Sequence, residues 1–125
     1  MATVKISSTL TYSNATGSKS LGGVVTRAAS GDHFAQETQE VGFAAAELLD
    51  VGTDVTAAGC EIVLIRNLDE NNFLTVYKDN GTTSIGVIPA GETQIFTPEG
   101  AYVPYVKADT AAVDIEFLAV STPAA

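Results

Sequence analysis

The residues of this chain that could do chemistry are few and scattered. His33 is the single histidine, and Ser30 and Asp32 stand beside it in "SGDH". A Ser-His-Asp relay needs the imidazole within hydrogen-bond reach of an activated hydroxyl, and adjacency in sequence does not supply that geometry, so a polar loop histidine is expected. One histidine also falls short of the several His or Cys ligands that zinc and non-haem iron sites draw on. Asp69, Glu70, Asn71 and Asn72 in "LDENN" offer the hard oxygens calcium favours. The central glycine and twelfth-position glutamate of an EF-hand loop are missing, and a solvated turn is the expectation. The carboxylate pairs Glu37/Glu40 and Asp114/Glu116 have the residue types of glycoside hydrolysis, but the chain has no Trp to stack a sugar. They read as solubilising charge. Asn14-Ala15-Thr16 and Asn80-Gly81-Thr82 fit the N-glycosylation pattern, with no signal peptide to give it meaning. "SNATGSKS" lacks the glycine and lysine placement of a phosphate loop. No catalytic, cofactor-binding or metal-binding residue is expected, and the chain reads as a non-enzyme without a cofactor.

The composition favours folding and narrows the partners. At 125 residues, 46% hydrophobic and 17% charged, with a mean hydropathy of +0.21, the chain lies far from the polar, highly charged composition of disordered segments. Fifteen acidic against six basic residues give a formal net charge of −9. That argues against nucleic acid and against anionic membranes, because both attract Lys and Arg. No basic residue lies between Arg27 and Arg66, a stretch that suits a basic protein surface. The lone Cys60 excludes an intramolecular disulfide and heads the apolar run "CEIVLIRNL", where a small buried residue is expected. Neither a signal peptide nor a run of about 18 apolar residues is present, which points to synthesis and folding in a reducing cytoplasm.

Periodicity supplies the elements that would position these residues. "ATVKISSTLTY" puts Val4, Ile6, Leu10 and Tyr12 at even positions, the pattern of a half-buried strand. "SNATGSKSLGG" has no period and reads as a loop, followed by "VVTR" and a second loop at "AASGD". "HFAQETQEVGF" is mostly polar with Phe34, Val41 and Phe43 as anchors, and Ala44–Gly52 reads as a strand or single turn. "EIVLIRNL" reads as a strand buried on both faces. "FLTVYK" and "SIGV" flank Asp79-Asn80-Gly81, a signal for a two-residue type I′ hairpin. Pro89 and Gly91 turn the chain again, "TPEG" makes a corner, and Pro104 confines "AYVPYVKA" to an edge or a bulge. "VDIEFLAV" alternates, one face buried and the other acidic. Short strands with turns every eight to twelve residues predict an all-β, single-domain antiparallel β-sandwich or jelly roll over residues 1–125. Residues 1–40 are an alternative N-terminal arm, and 121–125 a frayed tail.

From Val41 to Val120, "EIVLIRNLDENNFLTVYKDN", "GVIPAGETQIF" and "YVPYVKADTAAVDIEFLAV" resemble small virion proteins of tailed bacteriophages. The shared features are an N-L-D-x-x-N turn after a buried strand, a P-G-E-like turn, here Pro89-Ala90-Gly91-Glu92 with Ala90 inserted, and a closing K-A-D-T strand. The resemblance covers about two-thirds of the chain and rests on turns. It implies a capsid decoration, or cement, protein: a β-sandwich or jelly-roll trimer on the outer surface of the virion head, with the major capsid protein as partner.

That reading expects an apolar contact surface, with Phe34, Phe43, Leu48 and Leu49 as candidates alongside the N-terminal strand. A tail, neck or head-fibre accessory protein is the nearest alternative. A carbohydrate- or receptor-binding β-module is the other, with Tyr77, Tyr102 and Tyr105 as a stacking surface. A cupin-like enzyme ranks last, since that chemistry uses several metal-binding histidines.

Overall fold

The computed structural model describes residues 2–29, 33–53, 55–56 and 59–121, and side chains throughout these except at residues 2, 25 and 27–29. All regular structure is β, and every strand pair is antiparallel. The chain divides into two compact units, Met1–Asp32 and His33–Ala125.

The first unit is a hairpin. β1 (Ala2–Asn14) pairs with β2 (Gly17–Ala29) in thirteen unbroken steps, from Ala2 opposite Ala29 to Asn14 opposite Gly17. The turn is only Ala15-Thr16. It is locked by the Asn14 side-chain Oδ1, which accepts from the Thr16 N–H at 2.9 Å and from its hydroxyl at 2.8 Å, an Asx-type turn. The predicted loop over "SNATGSKSLGG" is therefore mostly strand. Its Ser, Lys and Gly residues sit opposite the alternating β1, and cross-strand pairing overrides their weak intrinsic preference. The half-buried reading of β1 is also corrected, since Leu10 and Tyr12 are 75% and 63% exposed.

The second unit holds eight strands in two four-stranded sheets. Sheet I has the order β3 (His33–Val41), β10 (Val113–Ser121), β5 (Cys60–Asn67), β8 (Thr93–Phe96). Sheet II has the order β4 (Glu47–Leu48), β9 (Tyr105–Ala108), β6 (Leu74–Tyr77), β7 (Ser84–Ile88). The pairing is nested: β6 with β7, β5 with β8, β4 with β9 and β3 with β10. One long antiparallel ribbon, folded back at the β6–β7 hairpin, is rolled into two layers.

Alternation along each strand builds the core. In β10, Val113, Ile115, Phe117 and Ala119 are buried while Asp114 and Leu118 are exposed. Val63 and Ile65 of β5 join them, and sheet II contributes Leu74, Val76, Ile88, Val106 and Ala108. β5 is not buried on both faces as its apolar run suggests: Leu64 is half-buried and Arg66 exposed. Gly86 of β7 lies where a Cβ would come 3.1 Å from the Phe96 ring of β8, so the absent side chain makes room for the aromatic.

Two turn readings are corrected. The β6–β7 connection is a six-residue loop, 78–83, and not a two-residue type I′ turn, because only Gly81 (φ 86°) takes positive φ there. The Asp79 carboxylate accepts from the Thr82 and Thr83 N–H groups, each at 2.8 Å. These bonds, Thr83 first, hold its carboxyl below the usual range. Pro104 does not mark an edge strand either. β9 is interior to sheet II and begins one residue after the proline, whose carbonyl accepts from Leu49 N–H at 3.1 Å. Of the expected tail, Ser121 is the last residue of β10 and is buried, and 122–125 lie outside the described residues.

Replacing Gly86 with Ala is expected to destabilise the fold by about 1–3 kcal/mol through overpacking against Phe96. Denaturant unfolding of the variant, showing a lower midpoint at unchanged slope, is the check.

Candidate functional site

The structure disperses the residues that could have formed an active centre. His33 opens β3 opposite Ser121 and is exposed, while its sequence neighbours Ser30 and Asp32 lie outside the described residues. Asp114 and Glu116 alternate along the outer face of sheet I, with Glu40 directly across from Asp114 and Thr38 across from Glu116. Arg66 Nη1 donates to Glu116 Oε1 at 3.2 Å, an exposed pair of the kind that contributes little to stability. Glu37 belongs to the opposite face of the same strand, opposite Phe117. Among the described residues, no group of three or more His, Cys, Asp or Glu is placed to hold a metal ion.

The "LDENN" carboxylate is engaged in folding the backbone. Asp69 Oδ2 accepts from the N–H groups of Asn71 (3.0 Å) and Asn72 (2.6 Å). Those two bonds hold its carboxyl below the usual carboxylate range. An oxygen turned onto two neighbouring amides closes a turn.

Asn67 is where three sequence motifs meet. Its side chain is fully buried. The amide Nδ2 donates to the carbonyls of Asn72 (2.9 Å), Ile88 (3.1 Å) and Pro89 (3.3 Å), and Oδ1 accepts from Asp69 N–H at 2.9 Å. Its own N–H donates to the Glu92 carbonyl at 2.9 Å. The N-L-D-x-x-N turn and the Pro89–Glu92 turn are thus tied to one side chain. The K-A-D-T segment joins them through Thr110 Oγ1 on Asn72 Oδ1 at 3.0 Å and Asp109 N–H on the Phe73 carbonyl at 3.2 Å. The motifs that carry the resemblance form a structural knot at one corner of the sandwich, and sequence reading missed Asn67 because the partners of its side chain lie up to twenty-two residues away.

What the structure offers instead of a catalytic pocket is surface. A shallow groove of about 430 Å³ is lined by Gln36, Glu37 and Thr38 of β3, Glu116 and Leu118 of β10 and Leu64 of β5. Leu64, Leu118 and Ile95 lie in one cross-strand row, and Phe34 and Val120 in the next. On the outer face of sheet II, Tyr77 and Tyr105 are direct cross-strand partners, both half-buried, with Leu48 beyond Tyr105 on β4. Tyr102 precedes β9 and does not share that row.

The four expected contact residues do not form one patch. Leu49 is completely buried in the core and is removed from the set; its place one residue past β4 turns it inward. Phe34, Phe43 and Leu48 are exposed. Phe34, however, is the second residue of β3 and Phe43 lies two residues beyond its end, nine residues apart and about 30 Å in extended chain. Phe43 falls in the connection before β4, which Glu47 holds by accepting from the Gly42 N–H.

Asn67→Ala removes the side-chain donor to the buried Ile88 carbonyl and to the part-buried Asn72 and Pro89 carbonyls, the last of which keeps the Glu92 N–H, and is expected to cost about 1–3 kcal/mol, read as a drop in thermal midpoint with the β spectrum retained. Cys60 is fully buried and its thiol is pushed up to about 11 by that burial. Ellman's reagent at pH 8 is therefore expected to modify it only as fast as the protein opens. Because the unfolded thiol ionises first, its contribution to stability is present below about pH 9 and is lost as pH rises towards 11. Comparison with protein-family models, curated proteins and solved structures finds no match to this chain.

Proposed function

We propose that the chain is a non-enzymatic structural protein of a tailed-bacteriophage virion, a decoration protein that binds the outer surface of the head through the major capsid protein and stabilises it. The observation that carries this reading is the hairpin. Two thirteen-residue strands, about 43 Å long, present Leu10 and Leu21 at 75% and 80% exposure. A two-stranded ribbon is marginal in water by itself, so a face of this kind calls for a protein partner. The nested pairing of β3 to β10 is read as a jelly roll, an architecture used by viral capsid proteins and also by lectins and cupins. Residues 33–125 hold fourteen acidic and three basic residues, a net charge of −11, which suits a location away from packaged DNA. A trimer fits the local three-fold positions of a shell, and Phe43 and Leu48 supply exposed apolar side chains for attachment.

The Tyr77–Tyr105 pair favours a second reading as a carbohydrate-binding module, since two adjacent rings on a sheet face can stack sugars. A glycan array that lights up for the wild type and goes dark for Tyr105→Ala would establish it.

In purified virions, quantitative mass spectrometry is expected to find a copy number close to that of the major capsid protein. A few to a few dozen copies would move the protein to the tail, neck or head fibres, and its absence would end the virion reading. Phe43→Asp, at an exposed position, is expected to change stability by no more than about 0.5 kcal/mol while weakening capsid binding in a pull-down; full binding would exclude Phe43 as an attachment point.

A further inference from the structure

We propose that the hairpin of one copy docks its apolar face onto the outer face of sheet I of a second copy. The two surfaces match in apolarity, in charge and in spacing.

On the hairpin, register places Val4, Ile6, Leu10 and Tyr12 on one face, with Leu21 directly opposite Leu10 and Lys19 opposite Tyr12. Leu10, Leu21 and Tyr12 are more than 60% exposed. Charge is divided unequally along the chain. Residues 1–29 contain Lys5, Lys19 and Arg27 and no acidic residue, against the net −11 of residues 33–125. One of these cations, Lys19, occupies a register position on the apolar face, beside Tyr12.

Sheet I carries the complementary arrangement. Leu118 (36% exposed), Leu64 and Ile95 (38%) form a row, Phe34 (58%) stands in the row to one side, and Glu116 in the row to the other, followed by Asp114 and Glu40. Two residues separate the leucine pair of the hairpin from Lys19, and two residues separate Leu118 from Glu116; both intervals are about 6.7 Å. With Leu10 and Leu21 over Leu64 and Leu118, Lys19 comes to Glu116, whose Oε1 also accepts from Arg66 Nη1 across the sheet at 3.2 Å, so Lys19 shares that carboxylate with Arg66. The small pair Ser8 and Gly23, two residues towards the other end of the hairpin, then faces the row holding Phe34. Bulk meets a gap, and a cation meets a carboxylate. Twisted sheets stacked about 10 Å apart pack in this way, and opposite charge at the rim sets register and partner choice more than raw affinity.

A second copy is the occupant because the receptor chemistry is present on this chain, whereas the exposure of Leu10 and Leu21 leaves that face open for another molecule. The contact joins copies of this chain to each other and is independent of whether the assembly then binds a virion.

The test uses full-length protein. Sedimentation velocity at about 100 µM, where contacts of micromolar affinity are saturated, is expected to show wild type as an oligomer. Leu10→Asp/Leu21→Asp is expected to run as a 12.9 kDa monomer, and Lys19→Glu to weaken association by about tenfold. All the substituted side chains are exposed, and a retained β spectrum verifies folding. Because Cys60 is buried, introduced cysteines are the reactive thiols: an equimolar mixture of Leu21→Cys and Leu118→Cys is expected to give a disulfide-linked dimer in excess of either variant alone. A monomeric wild type, no excess in the mixture, or closure of the Leu21→Cys/Leu118→Cys double variant within single chains would each overturn the proposal.

Discussion

Five hydrogen bonds to one buried asparagine hold the corner on which the sandwich turns. A buried amide without partners would cost more than most core substitutions, so Asn67 can occupy the interior only where chain segments from both sheets deliver carbonyls to it. Ile88 and Pro89 come from the end of β7 in sheet II, Asn72 from the approach to β6, and Glu92 from the approach to β8. This geometric demand fixes where β5 ends and how closely the layers approach at that corner. The apolar contacts of Phe117, Ile65 and Leu74 supply the larger share of the driving force, but they are directionless. The amide specifies direction.

The same logic separates what was legible in the amino-acid sequence from what was not. β5 follows from a continuous apolar run, β6, β7 and β10 from apolar patterning bounded by Gly, Pro, Asn and Asp, and the all-β antiparallel class follows from them. β3 was harder to read because it lies on the edge of sheet I, so its polar residues interrupt the alternation without penalty. β2 was missed because Ser, Lys and Gly carry no period of their own; their strand exists through thirteen pairings with β1, information that lies in the partner. Pro104 misled for a local reason: a proline one residue before a strand constrains nothing inside it.

Surface function was the least legible. The turn motifs pointed to a family likeness, yet their side chains are spent on backbone amides and carbonyls, and Asp69 illustrates this. The apolar rows of sheet I arise from residues on four strands that are as much as 86 residues apart in sequence, Phe34 and Val120, so no single stretch displays them. The division of charge between residues 1–29 and the remainder was visible in principle. The net charge of the whole chain concealed it.

The nested pairing has a kinetic consequence. Among the four nested pairs, only β6 and β7 are consecutive in the chain, so that hairpin is the cheapest of the four to close, and each further pair encloses a longer segment and must overcome a larger loss of chain entropy. Folding is therefore expected to proceed from the Asp79 loop outward, slowly for its size because most contacts are remote in sequence, with β3 and β10 zipped last. On a ribosome the hairpin emerges first, but the Leu118 row does not exist until the final strand has been made and paired. The order of synthesis thereby delays any meeting between copies until each sandwich is complete.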